Sequence, residues 1–369
     1  MIKIKSVIVV ALVAIVFAAA GCAGDPPSVL DGAAEETFTK WMQKYAPRAE
    51  KKSSGIYLDF IKRGNASFVV PKENKSWMRL TYTLYTLNDV VAETRDSTLS
   101  MLMGYWSATT RFVDDLLPYR SKAHNGNTTI CEGLRDAFQY LRVGDSVNIY
   151  IPASLAYSNE VTLSGNSGYL GEVLSYQNRP IRLTVRLDEI INDPLVWEEE
   201  IVQDYARSKW GQLIKDTVAP GLYMRLLVDD PKGDPITTDS TVRYFFAERF
   251  MDHQLLLTNV EKVSKAALYF NSETASQWSY TVSSMTPLEL QNAKNDTTDK
   301  ALYAKVFTKM KAGQTVEVLC TSRWTRLKNA GSQSAIPQVL PYEPRRFQIR
   351  TLKWNEPAAS KGYDWKALM

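Results

Sequence analysis

Three hydrophobic patterns alternate along the chain, and each predicts a different element. "RLTYTLYTL" (79–87) and "VNIYIPA" (147–153) place apolar side chains at every second position, the sign of half-buried antiparallel strands. "TTICEGLRDAFQYLRVGD" (128–145) changes period: Leu134, Ala137, Phe138 and Leu141 form an i, i+3, i+4, i+7 stripe, which predicts a short helix. Gly144-Asp145 then ends that helix and turns the chain into the next strand. The third pattern is unbroken: Val7 to Ala20 is apolar throughout, behind Lys3 and Lys5. A short helix embedded in a curved antiparallel sheet is an α+β unit.

The strand and helix patterns occur twice. "SSGIYLDFIKRG" near Gly55 pairs with "APGLYMRLLVDD" near Gly221, and "WMRLTYTLYTLND" with "STVRYFFAERFMDH". "LRVGDSVNIYIPASLAY" pairs with "MKAGQTVEVLCTSRWTR", and "RPIRLTVRLDEI" with "PRRFQIRTLKW". The order is the same and the offset nearly constant, 166 from Gly55 to Gly221 and 169 from Gly144 to Gly313. The pattern reads as a tandem duplication. A helical stretch precedes each copy, "AEETFTKWMQKYAPRAEK" and "PLVWEEEIVQDYARSKWGQLI". Trp41 and Tyr45 share one face of the first, Trp197 and Ile201 one face of the second. Such faces pack on their own domain or dock a partner. The boundary between copies is expected between Asp193-Pro194 and the Ala219-Pro220-Gly221 turn.

The unbroken run at the start is too short for a membrane span of about 20 residues and fits the apolar core of a secretory signal. Ala19-Ala20-Gly21-Cys22 resembles a bacterial lipobox, with Ala19 where leucine is more usual; Cys22 would then be acylated. Ordinary signal cleavage, with Cys22 incidental, is the alternative. The organisation expected is a lipoprotein signal peptide at 1–21, a lipidated tether at 22–35, domain 1 at 36–193, domain 2 at 194–356 and a tail at 357–369. Several acyl chains would anchor the protein stably to a membrane of the cell envelope.

Charge and composition remove several functions. The net charge is +4, and losing Lys3 and Lys5 with the leader leaves +2, which gives no footprint for nucleic acid. Cys131 and Cys320 are far apart in sequence and predict no disulfide. His124 and His253 have no metal partners at ligand spacing, so a triad or zinc hydrolase is not expected. No metal and no cofactor is called for.

With a strand tyrosine, the Gly-Leu-x-x-Ala helix, the Val-Gly-Asp turn, the strand into "IPASLAY" and the closing "RLTVRLDEI", copy one resembles an FKBP-type peptidyl-prolyl isomerase, and copy two follows it through the repeat. The resemblance covers about 54–192 well and 219–355 more weakly. It implies two FKBP-like domains and a pocket for the proline of an exported polypeptide. In copy one Tyr82 matches the sheet tyrosine, Ile130 and Cys131 the apolar pair before the helix, and Leu134 falls at the floor-tryptophan position. Tyr157 matches the tyrosine whose hydroxyl binds the peptide, with Ser158 in place of the following glycine. Ala92-Glu93 occupies the Phe-Asp position, and Leu183 replaces the closing-strand phenylalanine. Tyr105, Trp106 and Phe112 are candidates for a missing aromatic wall. In copy two Tyr244 matches the strand tyrosine, Tyr303 the floor and Phe347 the closing strand, while Ile336-Pro337 resembles the flap. Leu256-Leu257 departs from Phe-Asp, Arg326 sits at the tyrosine position, and Trp324 is placed to fill the space.

The resemblance implies chemistry that suits a chain almost without histidine. Rotating an Xaa-Pro bond meets a resonance barrier of about 18–20 kcal/mol and needs neither nucleophile nor metal. A dry apolar site that favours the twisted amide suffices. With neither pocket complete, three readings stand: an isomerase centred on Tyr82, Leu134 and Tyr157; a binding chaperone or scaffold that keeps the fold without catalysis; and a structural partner in an envelope complex. If the first holds, Tyr82, Leu134, Tyr157 and Leu183 are expected to line one open concavity.

Overall fold

The computed structural model describes residues 29–69, 71–72, 75–104, 111–119, 130–157, 179–211, 218–268, 278–281, 300–325, 339–353 and 355–356. The leader with Cys22, Tyr105, Trp106, His124, Ser158, Arg326, Ile336-Pro337 and the tail lie outside the described residues.

Helix α1 (Val29–Tyr45) leads through β1 (Glu50–Lys51) to β2 (Tyr57–Lys62), β3 (Trp77–Thr86) and β4 (Val91–Thr94). Next come α2 (Ser97–Leu102), β5 (Asp115–Pro118), α3 (Glu132–Ala137), β6 (Ser146–Ile151) and β7 (Ile181–Ile191). The strands form one antiparallel sheet in the order β1-β2-β6-β7-β3-β4, with β5 also on β3. The chain then enters α4 (Pro194–Trp210), β8 (Leu222–Val228), β9 (Thr241–Phe250), β10 (Leu255–Thr258) and α5 (Glu261–Ala266). It closes with β11 (Trp278–Thr281), α6 (Lys300–Phe307), β12 (Thr315–Cys320) and β13 (Arg345–Thr351). This second antiparallel sheet has the order β10-β9-β13-β12-β8, with β11 on β9. Read from β2 to β4 and from β8 to β10, the two orders coincide.

Alternation decides which face of each strand is packed. Met78, Leu80, Tyr82 and Leu84 of β3 join Val147, Ile149 and Ile151 of β6 on one face of the first sheet. The α3 stripe covers that face, and Leu134, Ala137, Phe138 and Leu141 are completely buried. On the opposite face Tyr57 and Tyr150 receive Phe38 and Met42 of α1 and Ala46 just beyond it. The second sheet is layered alike: α6 packs Leu302, Tyr303, Val306 and Phe307 on one face, and α4 packs Val202, Tyr205 and Ala206 against Tyr223 and Leu319 on the other. Cys131 and Cys320 are free thiols buried in different clusters.

The helices correct the sequence reading in two places. The row that faces the sheet is Phe38-Met42, with Ala46 just past the end of α1; Trp41 is half-buried against Tyr150 at 6.1 Å, and Tyr45 is 60% exposed. In α4, likewise, Trp197 and Ile201 sit half-buried to one side of the Val202–Ala206 row. An i, i+4 aromatic pair marks a face but not which neighbouring row meets the sheet. Helix α1 starts at Val29, within the stretch expected to form the tether. The Asp193-Pro194 boundary is a helix start. The Asp193 carboxylate accepts from the backbone of Leu195 and Val196, Pro194 takes the first turn, and Gly211 ends the helix with φ +75°.

The Gly-Asp turn is built around a buried carboxylate. Gly144 adopts φ +88°, and fully buried Asp145 accepts from the backbone of Gly64 (2.7 Å) and Arg142 (2.8 Å), with Arg63 at 3.3 Å. A Cβ on Gly64 would collide with the Val143 carbonyl. The second sheet makes the same turn at Gly313 (φ +89°), where Gln314 accepts from Lys311 N at 2.7 Å and a Cβ on Gly233 would meet the Ala312 carbonyl.

The two halves meet at Arg111. Its buried guanidinium reaches Asp252 at 2.9 Å and Glu343 at 2.6 Å and lies 3.4 Å from the centre of the Phe250 ring. Trp77 and Tyr342 make an edge contact at 5.0 Å across the same junction.

Asp145→Ala leaves buried backbone donors without acceptors, and is expected to cost about 2–3 kcal/mol. A urea titration checks this: the midpoint should fall with the slope unchanged.

Candidate functional site

The residues singled out in the first half come from three elements and two loops and converge. Tyr82 on β3, Leu134 on α3, Leu183 on β7 and Cys131 and Tyr157 on flanking loops share one cluster, with Ile130 half-buried against it. They do not line an open concavity: each of the five is at most 3% exposed. Branched aliphatic side chains at 134 and 183 lie against their neighbours, where flat rings would stand as walls. Phe112 is not part of this cluster; it lies between the two sheets.

Convergence depends on two features that the sequence reading passed over. Gly133 lets α3 lie directly on the end of β6, since a Cβ there would strike the Ile151 side chain and sit 3.2 Å from the Leu155 carbonyl. The signal was present as the glycine of "CEGL". The 3-10 turn Ala153–Leu155, which leads to Tyr157, is also tied to the leading helix: Ser154 Oγ donates to Glu35 at 3.0 Å.

Tyr82 heads a buried polar chain. Its hydroxyl donates to Glu93 Oε1 at 2.5 Å; Arg95 lies 3.9 Å from Glu93 and donates to Asp115 at 2.9 Å. Burial, and then the charges of Glu93 and Asp115, hold the Tyr82 phenol well above its ordinary pKa. It therefore stays protonated and a donor. The Glu93 carboxylate is turned to Tyr82 and Arg95. Burial pushes the Cys131 thiol up to about 11, against the opposing pull of the Leu134 backbone N–H and the Tyr157 hydroxyl. A thiol so placed is a poor nucleophile at neutral pH. The cluster is apolar apart from neutral hydroxyls, and its side chains are closed to solvent.

In the second half Tyr244, Tyr303 and Phe347 also share one cluster. Tyr244 lies 5.0 Å from the Tyr303 ring and 5.1 Å from that of Phe307, and Tyr303 stacks on Phe307 at 5.4 Å. Phe307 was missed, although it stands four residues after Tyr303 on the same helix face. Trp324 is half-buried at the margin and donates from Nε1 to the Pro220 carbonyl at 3.0 Å. Ile336 lies outside the described residues.

Glu198 of α4 repeats the role of Glu35. It has no exposed surface and accepts from Ser322 N at 3.1 Å, in the 3-10 turn Ser322–Trp324. Burial raises its pKa, opposed by the bonds from Ser322 and the charges of Arg345 and Arg323. Among the described residues no group of three His, Cys, Asp or Glu is placed to hold a metal ion, and no helix is long and apolar enough to cross a membrane.

Solved structures similar to this chain include the three FKBP domains of wheat FKBP73, at 10% identity and TM-score 0.28, covering 83% of this chain and 98% of that one. FkpA from Escherichia coli matches at 13% identity and TM-score 0.30, over 44% of this chain and 61% of that one. A peptidyl-prolyl cis-trans isomerase from Pseudomonas syringae pv. tomato str. DC3000 matches at 14% identity and TM-score 0.29, over 46% and 98%. Neither a family model nor a curated protein matches the chain.

Tyr82→Phe removes the donor to buried Glu93 and is expected to cost about 1–3 kcal/mol in denaturant unfolding. Glu198 gives a pH signature. Its raised folded pKa means the folded chain holds that proton more tightly than the unfolded one. The resulting stabilisation is full below the ordinary carboxylate value and is lost as pH rises through the raised one. Glu198→Gln keeps the acceptor without the charge, so its stability relative to the parent should grow between pH 4 and pH 7 in paired urea titrations.

Proposed function

We propose that the chain is a tandem FKBP-like protein acting on proline-containing segments, and that its first half is a peptidyl-prolyl cis-trans isomerase. The observation that carries this reading is the meeting of Tyr82, Cys131, Leu134, Tyr157 and Leu183 on one face of the first sheet. They come from distant points of the sequence, in the order the family resemblance requires. In this reading half-buried Ile130 is the apolar wall first met by the prolyl group, and Leu134, Leu183 and Cys131 behind it would become walls once the pocket opens. The Tyr82–Glu93 bond keeps the strand tyrosine fixed, and Tyr157 turns its hydroxyl from the Cys131 thiol to the peptide carbonyl. Stabilising the twisted amide more than the planar one lowers the barrier, with no titrating group involved.

In the second half the rings of Tyr244, Tyr303 and Phe307 fill one another's space, which suits support or binding better than turnover. Half-buried Trp324 would then shape an auxiliary surface, with Phe347 packed in the core beneath it. The setting proposed is the cell envelope, with Cys22 lipidated and exported polypeptides as clients.

A second reading is a lipid-anchored binding chaperone without catalysis. It is favoured by the burial of Tyr82, Leu134 and Leu183, which leaves proline little apolar wall to reach.

The test is isomerisation of a short Xaa-Pro peptide by the chain lacking residues 1–22. Acceleration that Tyr157→Phe cuts about 3- to 10-fold, the worth of one hydrogen bond, is the expected result. Folded protein that accelerates nothing, yet suppresses aggregation of an unfolded protein, would favour the second reading.

A further inference from the structure

The two leading helices grip their sheets at the same place, but not equally firmly. In the first half Phe38 and Met42 of α1 pack on Tyr150 near the end of β6, and Trp41 lies 6.1 Å from that ring. One turn earlier on the helix, Glu35 accepts from Ser154 Oγ at 3.0 Å, in the 3-10 turn that follows the strand. In the second half Val202 and Tyr205 of α4 pack on Leu319 near the end of β12. One turn earlier again, Glu198 accepts from Ser322 N at 3.1 Å, in the 3-10 turn that follows that strand. Each helix therefore holds a strand end by apolar contact and the next turn by a carboxylate. Residues three or four apart on a helix share a face, so Glu35 stands in the row of Phe38 and Met42, and Glu198 in that of Val202 and Tyr205.

What differs is exposure. Glu198 has no exposed surface, whereas Glu35 and Ser154 both stand at the surface. A hydrogen bond that competes with water shifts an equilibrium only several-fold, so the first half carries the releasable form of the grip. It is also the half whose turn leads to a tyrosine. Leu155 and Ala156 pack on the Tyr82 cluster, and the Tyr157 hydroxyl lies against the Cys131 thiol. From below, the turn rests on the start of α3: the Leu155 carbonyl lies over Gly133, where a Cβ would come within 3.2 Å of it. The turn is thus clasped between α1 and α3. In the isomerase reading Tyr157 swings its hydroxyl from Cys131 to a peptide, so the turn that carries it has to shift.

We infer that Glu35 of the leading helix is a positioning residue of the first-half pocket: through Ser154 it holds the turn, and so fixes where Tyr157 rests and how often the turn lifts from Cys131. The effect on turnover rests on the isomerase reading; the hold on the turn does not.

The chain lacking residues 1–22 keeps every described residue and has Cys131 and Cys320 as its cysteines. The test is its alkylation by iodoacetamide, with the modified cysteine assigned by peptide mass. Glu35→Ala and Ser154→Ala should each speed alkylation at Cys131 about 3- to 10-fold, the worth of one hydrogen bond, with Cys320 and the thermal melt unchanged. The double variant should match either single one, because both remove the same bond. Glu35→Gln keeps an acceptor and should stay close to the parent. In Xaa-Pro isomerisation by the same proteins, Ser154→Ala should lower kcat and not KM, with no further effect in a Tyr157→Phe background. If one single variant fails to fold, the other decides. Unchanged alkylation at Cys131 in a folded variant, an equal rise at Cys320, or single effects that add in the double would overturn the inference. So would isomerisation that Ser154→Ala leaves untouched. A parent that isomerises nothing, with the alkylation pattern as expected, would remove the isomerase reading and uphold the hold of Glu35 on the turn.

Discussion

Both sheets depend on where their last strand goes. β7 inserts between β6 and β3, and β13 between β12 and β9, so the strand made last is central. Its pairing with β3 runs from Trp77 opposite Ile191 to Thr86 opposite Ile181. That register puts Leu183 beside Leu84 on one side and Ile149 on the other, on the face with Tyr82. A slip by one residue would turn Leu183 to the opposite face. Until the closing strand arrives, β6 and β3 have no common neighbour and the site cannot assemble. Such long-range closure makes slow folding the expected regime.

Around this frame, the buried carboxylates act as braces. Asp145 gathers the loop after β2 and the turn before β6; Glu93 and Asp115 bind Tyr82 and Arg95 into one buried network; Glu198 holds the turn after β12. Each withdraws charge from water, which is costly unless partners compensate. What the carboxylates contribute in return is position: they fix loops that lack the repeating hydrogen bonds of helix or sheet. The turn leading to Tyr157 is fixed in a similar way, from α1 through Glu35.

Local pattern made some of this legible in the sequence and hid the rest. Period-two alternation located β3 and β6, and the 3.6-period stripe located α3, because burial on one face leaves its mark within a few residues. The Gly144-Asp145 turn was equally plain, since a left-handed backbone selects glycine. The residues meeting Tyr82 could be proposed only through family likeness. Their enclosure was not legible, because it depends on how Leu134 and Leu183 fill space among distant neighbours. Phe307 and Glu198 were passed over for the same reason: each matters through a partner elsewhere, Tyr244 or Ser322, that no local window contains. The helix faces were misjudged by one row, since periodicity gives a stripe's spacing and not the angle at which a sheet receives it.

The junction through Arg111 bears on how the chain behaves when it is not fully assembled. A joint made of greasy side chains leaves a sticky patch on each half whenever it opens, and such patches invite aggregation. Here the parting surfaces at the joint's centre carry a guanidinium on one side and two carboxylates on the other, groups that water solvates readily. Detached halves would present these charges to water at that point, beside the apolar lining of the cavity between the halves. Opening the joint hydrates the charges, and closing it must strip that water away again.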